Sequence, residues 1–387
     1  MIDETSVLIV GAGPAGLVLG NVLQANGIRT LILEQHTRAR VQARAKAGFL
    51  GPRTVRVLTR HGLATGLLNK GRAHGVCAFR DARGEFALDY GKLGHGEVHT
   101  IYPQQDLVTD LIAEYLGRGG EVKFGVTVTE VDAEAATVRF SHAAGSGEAR
   151  GRFLAGCDGS NGVTREALAG PRHLCDHGIG WLAILAEAPQ SMQAVTYAIH
   201  DNGFAGHMAR SPQVTRYYLQ VPPGEKTAAW TDDRIWAELA VRMRTAQFGK
   251  LRQGPISERR VVRLRSEVAH SLQGGRMFLA GDAASVISPS AAKGANLAIF
   301  EAAVLADAFC SALSLDDETG LSGYSATCLP RIWRAQEFSH WMIGLLHGPA
   351  GPEPYTGFHR GLRRSRLDTL RDGRTHQVLF AENYVGI

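Results

Sequence analysis

The chain has 387 residues, 44% apolar and 20% charged, enough for two or three domains built on a full hydrophobic core. Its 42 Lys+Arg against 37 Asp+Glu leave a net charge of +5, too small and too dispersed for a nucleic-acid binder but suited to attracting small anions. Five cysteines (Cys77, Cys157, Cys175, Cys310, Cys328), an odd number with no C-x-x-C pair, argue against disulfides, zinc and a redox dithiol.

In chain order, the apolar run Ser6–Val10 predicts a buried parallel strand. It is preceded by an acidic start, Met1-Ile2-Asp3-Glu4, that lacks the pattern of a signal peptide. A glycine turn follows, Gly11-Ala12-Gly13-Pro14-Ala15-Gly16, then a helix over Pro14–Gln24 and a second strand over Arg29–Leu33 ending at Glu34. This is a β-α-β unit whose acidic residue stands about 20 positions after the glycines, the layout of a dinucleotide site. Gly11 permits the tight turn, Gly13 lets the backbone approach a pyrophosphate, and Gly16 lets helix and strand pack closely. The helix N-terminus offers free N–H groups to phosphate, and Glu34 accepts from ribose hydroxyls while repelling a 2′-phosphate. Taken alone, the motif fits NAD as well as FAD.

Residues 121–140 predict short alternating strands, and Arg152–Gly156 a buried strand ending at Cys157-Asp158-Gly159. Residues 178–265 carry β-branched and aromatic runs separated by turn residues, which predicts an antiparallel sheet. Arg276–Ala280 returns to buried-strand character and ends at Gly281-Asp282, ahead of Pro289, Lys293, Gly294 and Asn296. Asp282 can bind the hydroxyls of a ribityl chain, which a flavin has and NAD lacks, so the three pieces together favour FAD. Helices are predicted over Gly294–Leu313 and Arg331–His347, the latter broken by Gly348-Pro349. The arginine-rich tail (Arg360, Arg363, Arg364, Arg366, Arg371, Arg374) reads as a solvated helix face or subunit contact. The fold class is α/β: a Rossmann-like FAD-binding domain (1–177), an inserted antiparallel β-sheet substrate domain (178–267), and a return to the cofactor site followed by a C-terminal helical region (268–387). No run of 18 apolar residues is present, so no membrane span is expected, and the protein is expected in the cytoplasm.

The segments Gly11–Gly16, Gly156–Gly159, Arg216–Pro222, Leu279–Ala284, Ala292–Gly294, Arg331–Trp333 and Ala381–Gly386 resemble the group A flavoprotein aromatic monooxygenases over nearly the whole chain. The Tyr218 segment and the C-terminal Glu382-Asn383-Tyr384-Val385-Gly386 resemble the branch acting on hydroxybenzoates. The resemblance implies FAD, NADPH or NADH as transient co-substrate, O2, a flavin C4a-hydroperoxide as oxygen donor, a small aromatic carboxylic acid as substrate and a homodimer. It assigns Tyr197 to the substrate phenol, Tyr384 and His74 to a proton relay, and the Pro289 carbonyl to the phenol oxygen or incoming hydroxyl. Arg210 and Tyr218 match the carboxylate-binding positions; a guanidinium suits a carboxylate because it offers paired donors in one plane. Arg44, Lys46, Gln104, Asp158, Lys293, Gly294 and Asn296 join the glycines, Ala15, Glu34 and Asp282 as cofactor positions. Arg44, Arg165 and Arg265, with Arg38 and Arg40, form the expected nicotinamide-nucleotide surface. The chain departs from the family pattern at Met208 and Ser290 in the expected substrate pocket, and at Lys46, Gly51, Ser288 and Asn161. A flavin disulfide reductase is disfavoured by the missing C-x-x-C and a halogenase by the missing W-x-W-x-I-P. A non-catalytic redox sensor would have no use for a relay that ionises its ligand.

Overall fold

A computed structural model describes residues 2–44, 48–168, 170–348 and 354–386. The first sheet is the nucleotide sheet, with order Gln273–Gly274, Met277–Leu279, Gly145–Gly156, Ile2–Val10, Thr30–Glu34 and Glu121–Phe124. Pairing from Met277–Leu279 across to Glu121–Phe124 is parallel. Val7 and Ile9 face one core, with the helices Pro14–Ala25 and Gly294–Ser314 packed over it. Leu8 and Val10 face another, closed by Val128, Val138 and Phe140 of the hairpin Thr127–Asp132 and Thr137–His142. Burial on both faces is why Val7–Val10 is uniformly apolar rather than alternating.

The second sheet has eight strands, in the order Ser285–Val286, Ile256–Ala269, Arg172–Ala186, Val214–Val221, Ala205–Ser211, Val195–Ala198, Val76–Asp81 and Gly84–Asp89. The expected segment 178–267 supplies its centre. Two further strands come from residues 76–89, joined through a parallel pair between Val76–Asp81 and Val195–Ala198. Within the expected all-strand segment lies the helix Asp232–Arg242, whose Ile235, Trp236 and Leu239 cover Leu182, Ile184, Tyr217 and Leu219. Period-2 alternation along these strands therefore buries one face under the helix and turns the other, with Trp181, Ala183, Arg216 and Tyr218, toward the nucleotide sheet.

The helix Gly294–Ser314 is long and apolar enough by composition to cross a membrane, which the count of consecutive apolar residues had not indicated. Its Leu297, Ile299, Leu305 and Phe309 are buried against the nucleotide sheet and the first helix, so it is a core helix. The second C-terminal helix, Tyr324–Leu346, starts two turns before its expected beginning and carries Pro330 within it. The tail forms the helices Tyr355–Asp372 and Arg374–Val385; Arg360, Arg364 and Arg366 are exposed, while Arg371 pairs with Asp81 at 3.1 Å. Pro349 lies outside the described residues. The five cysteines are all free.

Candidate active site

The three motif segments are joined by backbone contacts. Gly11 N–H donates to Leu33 O at 2.7 Å, Cys157 N–H to Val10 O at 2.8 Å and Ala280 N–H to Gly156 O at 2.9 Å. Gly11 has φ 104°, and a Cβ there would collide with the Cys157 carbonyl, so only glycine fits. Gly281 has φ 68°, and a Cβ would come within 3.3 Å of Ala15 and 3.4 Å of Ala298. Gly16 packs its bare Cα against the Gly11 carbonyl, whereas a Cβ on Gly13 would meet open space.

That space is a cleft of about 490 Å3. Gly11, Gly13, Ala15, Glu34, Arg44, Gln104, Asp158, Asp282 and Gly294 line its nucleotide half, and Trp181, Arg216, Tyr218 and Pro289 line the sheet-facing half. Glu34 turns into the glycine loop: its carboxylate accepts from Ala12 N–H at 2.8 Å and from His36 N–H at 2.8 Å. Gly13 caps the first helix without a side chain, leaving its N-terminus open to an anion. An extended cleft with phosphate-seeking backbone at one end and an aspartate deeper in fits FAD.

Other expected cofactor residues act at one remove. Both Asp158 oxygens are engaged by Thr164, from its N–H at 3.0 Å and its hydroxyl, and burial raises the Asp158 pKa. The Asn296 side-chain oxygen accepts from Gly51 N–H and the Thr54 hydroxyl, both at 2.7 Å, while its nitrogen donates to Phe49 O at 3.0 Å and Ala292 O at 2.9 Å. Asn296 thus braces the loop against the long helix. Lys293 is buried, donates to Tyr384 O at 2.6 Å, and is lowered to about 7 by burial and then by Arg331. Lys46 lies outside the described residues.

Tyr197 and Tyr384 are brought together as expected, hydroxyl to hydroxyl at 2.6 Å in a buried setting. Burial raises both above the ordinary phenol range. His74 does not touch Tyr384. Its Nε2 accepts from Val195 N–H at 3.2 Å, and its Nδ1 lies 2.8 Å from the Tyr90 hydroxyl. Burial lowers His74 to about 4. Tyr90 and His99 stand between them, the His99 Nδ1 at 3.2 Å from the Tyr90 hydroxyl and both rings edge-on to Tyr384 at 4.9 and 5.2 Å. Sequence reasoning missed both. Tyr90 follows the helix-capping Asp89 and His99 sits in the three-residue strand His99–Ile101, a stretch with no motif to flag it.

Sheet register places Tyr197 opposite Gly206, Gly206 opposite Tyr218, and Tyr218 opposite Ala183. Met208, half-buried, stands opposite Arg216. Arg210 sits where the register slips between Ala209 and Ser211, a bulge that re-aims its side chain. It is buried beside Arg216 and Tyr218, and burial, then Arg216, lowers its pKa. With His74 it lines a smaller cavity of about 130 Å3, which shares no lining residue with the main cleft. Arg216, which sequence reasoning quoted without assigning a role, lies on the main cleft wall, 4% exposed, with the Glu258 carboxylate 3.7 Å away. Trp181, its ring tilted against that of Tyr218 at 4.8 Å, is fixed by His347, which accepts from Trp181 Nε1 at 3.1 Å and contacts Gln220 at 2.9 Å.

Two of the expected residues are engaged by partners within the protein. The Ser290 hydroxyl turns toward Ser339 of the Tyr324–Leu346 helix, at 3.1 Å from its carbonyl and hydroxyl oxygens, instead of the substrate side. Arg165 is 6% exposed and paired with Glu267, which also holds Arg172 at 3.2 Å, so its charge is spent inside the protein. Arg44, Arg38 and Arg40 are exposed, and Arg265 is half-buried.

Residues 4–339 match the FAD binding domain family. The chain is 33% identical over 389 residues to p-hydroxybenzoate hydroxylase of Acinetobacter baylyi, covering 99% of this chain and 96% of that one. It is 28% identical to a 3-amino-4-hydroxybenzoate 2-monooxygenase of Streptomyces platensis, over 91% of each chain. In fold it is similar to p-nitrophenol 4-monooxygenase of Pseudomonas putida, with a TM-score of 0.85 at 19% identity, covering 100% of this chain and 99% of that one. The chain belongs to the group A flavoprotein aromatic monooxygenases. It is an FAD-dependent aromatic hydroxylase that uses NAD(P)H and O2.

Proposed function

We propose that the substrate is a 4-hydroxybenzoate-type acid, hydroxylated ortho to its phenol oxygen, and that Tyr197 and Tyr384 carry away the phenol proton. The observation that carries this reading is the buried hydroxyl pair at 2.6 Å, close in the sheet to Tyr218 and to the paired guanidinia of Arg210 and Arg216. Gly13, Ala15, Glu34, Arg44, Gln104, Asp282 and Gly294 would hold FAD, which when bound would supply the activation of O2 with electrons from NAD(P)H.

The protein's own part is to hold the ring and set its charge. Electrophilic hydroxylation needs an electron-rich ring, and a phenolate is far richer than a phenol. With a pKa of ~10, only about one phenol in a thousand is ionised at pH 7, so favouring the anion takes roughly 4 kcal/mol. Arg210 and Tyr218 bind the carboxylate, and Tyr197 accepts the phenol proton while passing its own to Tyr384, whose hydroxyl proton leaves in turn past Tyr90 toward His74 and solvent. Because burial disfavours a tyrosinate at either position, the proton moves by concerted hydroxyl exchange, not by way of a free anion. Pro289 lines the main cleft together with Trp181, Arg216 and Tyr218.

A second reading keeps this chemistry on a 4-hydroxybenzoate bearing an amino or further hydroxyl group. Met208 favours it: where the family pattern has a serine, a thioether packs in the cluster that holds Tyr218 and Tyr197 and reshapes the pocket. The test is NADPH and NADH consumption with 4-hydroxybenzoate and its 3-amino and 3-hydroxy derivatives, with products identified by mass. Stimulated turnover giving a product heavier by one oxygen supports the proposal and selects the ring. Turnover yielding only hydrogen peroxide, or no stimulation by any benzoate, overturns it.

A further inference from the structure

We propose that Cys175, His177 and His340 form a zinc-binding site that ties the second sheet to the C-terminal helices. The argument is independent of the substrate reading, and no residue of the site lines the flavin cleft. Cys175 and His177 stand two apart on the strand Arg172–Ala186, where its pairing with Ile256–Ala269 slips between Asp176 and Gly180. Gly178, at φ 64°, turns the chain there. His340 reaches the same spot from the Tyr324–Leu346 helix, and its ring centroid is 5.6 Å from that of His177.

The sulfur and the two ring nitrogens all lie within 4.8 Å of one another, with Cys175 Sγ 3.8 Å from His177 Nδ1. Tetrahedral zinc, with Zn–S ~2.3 Å and Zn–N ~2.0–2.1 Å, spaces its donors about 3.3–3.6 Å apart. Closing on an ion therefore asks for small rotations, and Cys175 and His340 are exposed and free to make them. His177 Nε2 lies 3.0 Å from Ser266 Oγ. When Nε2–H donates there, the Nδ1 lone pair faces the sulfur; this is the outer-shell bond that fixes the tautomer of a metal-binding imidazole. One thiolate and two imidazoles select zinc over magnesium or calcium, and the thiol proton leaves to solvent on binding. Glu337, one turn before His340 in the same surface groove, or a water completes the shell. A search for C-x-x-C passes over this set because its third member comes from a distant helix.

The test titrates Zn2+ into the purified, metal-free FAD holoenzyme. Close to one equivalent is expected to bind, X-ray absorption at the zinc edge should show one sulfur near ~2.3 Å with nitrogen neighbours, and Tm should rise. Cys175→Ser and His340→Ala should each weaken binding by ~10-fold or more, and Ser266→Ala should weaken it by ~10–100-fold while leaving the sulfur in place. Cys310→Ser serves as the control and should change nothing. Flavin content, unchanged in each variant, certifies folding. Zinc that binds without a sulfur neighbour, or equally well to Cys175→Ser and wild type, overturns the site.

Discussion

Tyr197 and Tyr384 share one short hydrogen bond in dry surroundings, and that limits what either can do. With both pKa values raised, the pair is a conduit for a proton and a poor reservoir for one. Tyr197→Phe should slow hydroxylation by ~10²-fold or more while flavin reduction by NADPH continues, seen as peroxide without product in rapid-mixing experiments. It also leaves the Tyr384 hydroxyl short of a partner, at a cost of about 1–3 kcal/mol in unfolding free energy. At the other end, Arg210→Ala should weaken benzoate binding by ~2 kcal/mol or more, read from the flavin spectrum; unchanged affinity would put the carboxylate elsewhere. A third residue, Glu301, holds the Gly281 turn by accepting from its N–H at 2.6 Å. Burial raises this carboxyl to about 8, so the folded state keeps a proton that the unfolded chain releases near 4.5. Stability from this group is present at low pH and is lost as pH rises from the unfolded value through about 8. Glu301→Gln, which can still accept from Gly281, should therefore gain Tm relative to wild type between pH 5 and 8. A pH-independent difference would refute the assignment.

At the scale of elements, Asn296 carries unusual weight, since one amide joins the long helix to Gly51, Thr54 and Phe49 with three hydrogen bonds. Asn296→Ala should cost about 2 kcal/mol or more and loosen FAD, measured as unfolding free energy and as the flavin dissociation constant. This also marks what the sequence could and could not disclose. The β-α-β unit, the buried strands and the Gly281-Asp282 turn are local patterns, with periodicity and glycine placement in one stretch of chain, so they were legible. The strands at 76–89 joined a sheet expected only within 178–267, because pairing between segments over 100 residues apart leaves no local trace. The same reason hid Tyr90 and His99, and it hid the partners of Ser290 and Arg165, since Ser339 and Glu267 lie far along the chain. The helix Asp232–Arg242 was missed although it carries its own cap, Thr231 accepting from Arg234 N–H, with Asp232 and Asp233 in the first turn.

Over the whole molecule, the two sheets face each other across one cleft, and its exposed nucleotide rim is basic. Arg44 lines the rim, and Arg38 and Arg40 lie on the adjoining short helix Arg38–Ala43. A dinucleotide that docks there only in passing gains from attraction that salt screens, so KM for NADPH should rise with ionic strength while kcat holds. The buried and exposed arginines then part company. Arg44→Ala should raise KM for NADPH with little change in Tm, because its side chain is exposed on the cleft rim. Arg165→Ala should do the opposite. It strands Glu267 in the interior with only Arg172 beside it, and removing one member of a buried pair costs about 3–5 kcal/mol. If Arg165→Ala instead left Tm unchanged and raised KM for NADPH, the guanidinium would have to swing out of its pair with Glu267 during turnover. Measuring both quantities on both variants separates a docking charge from a structural one.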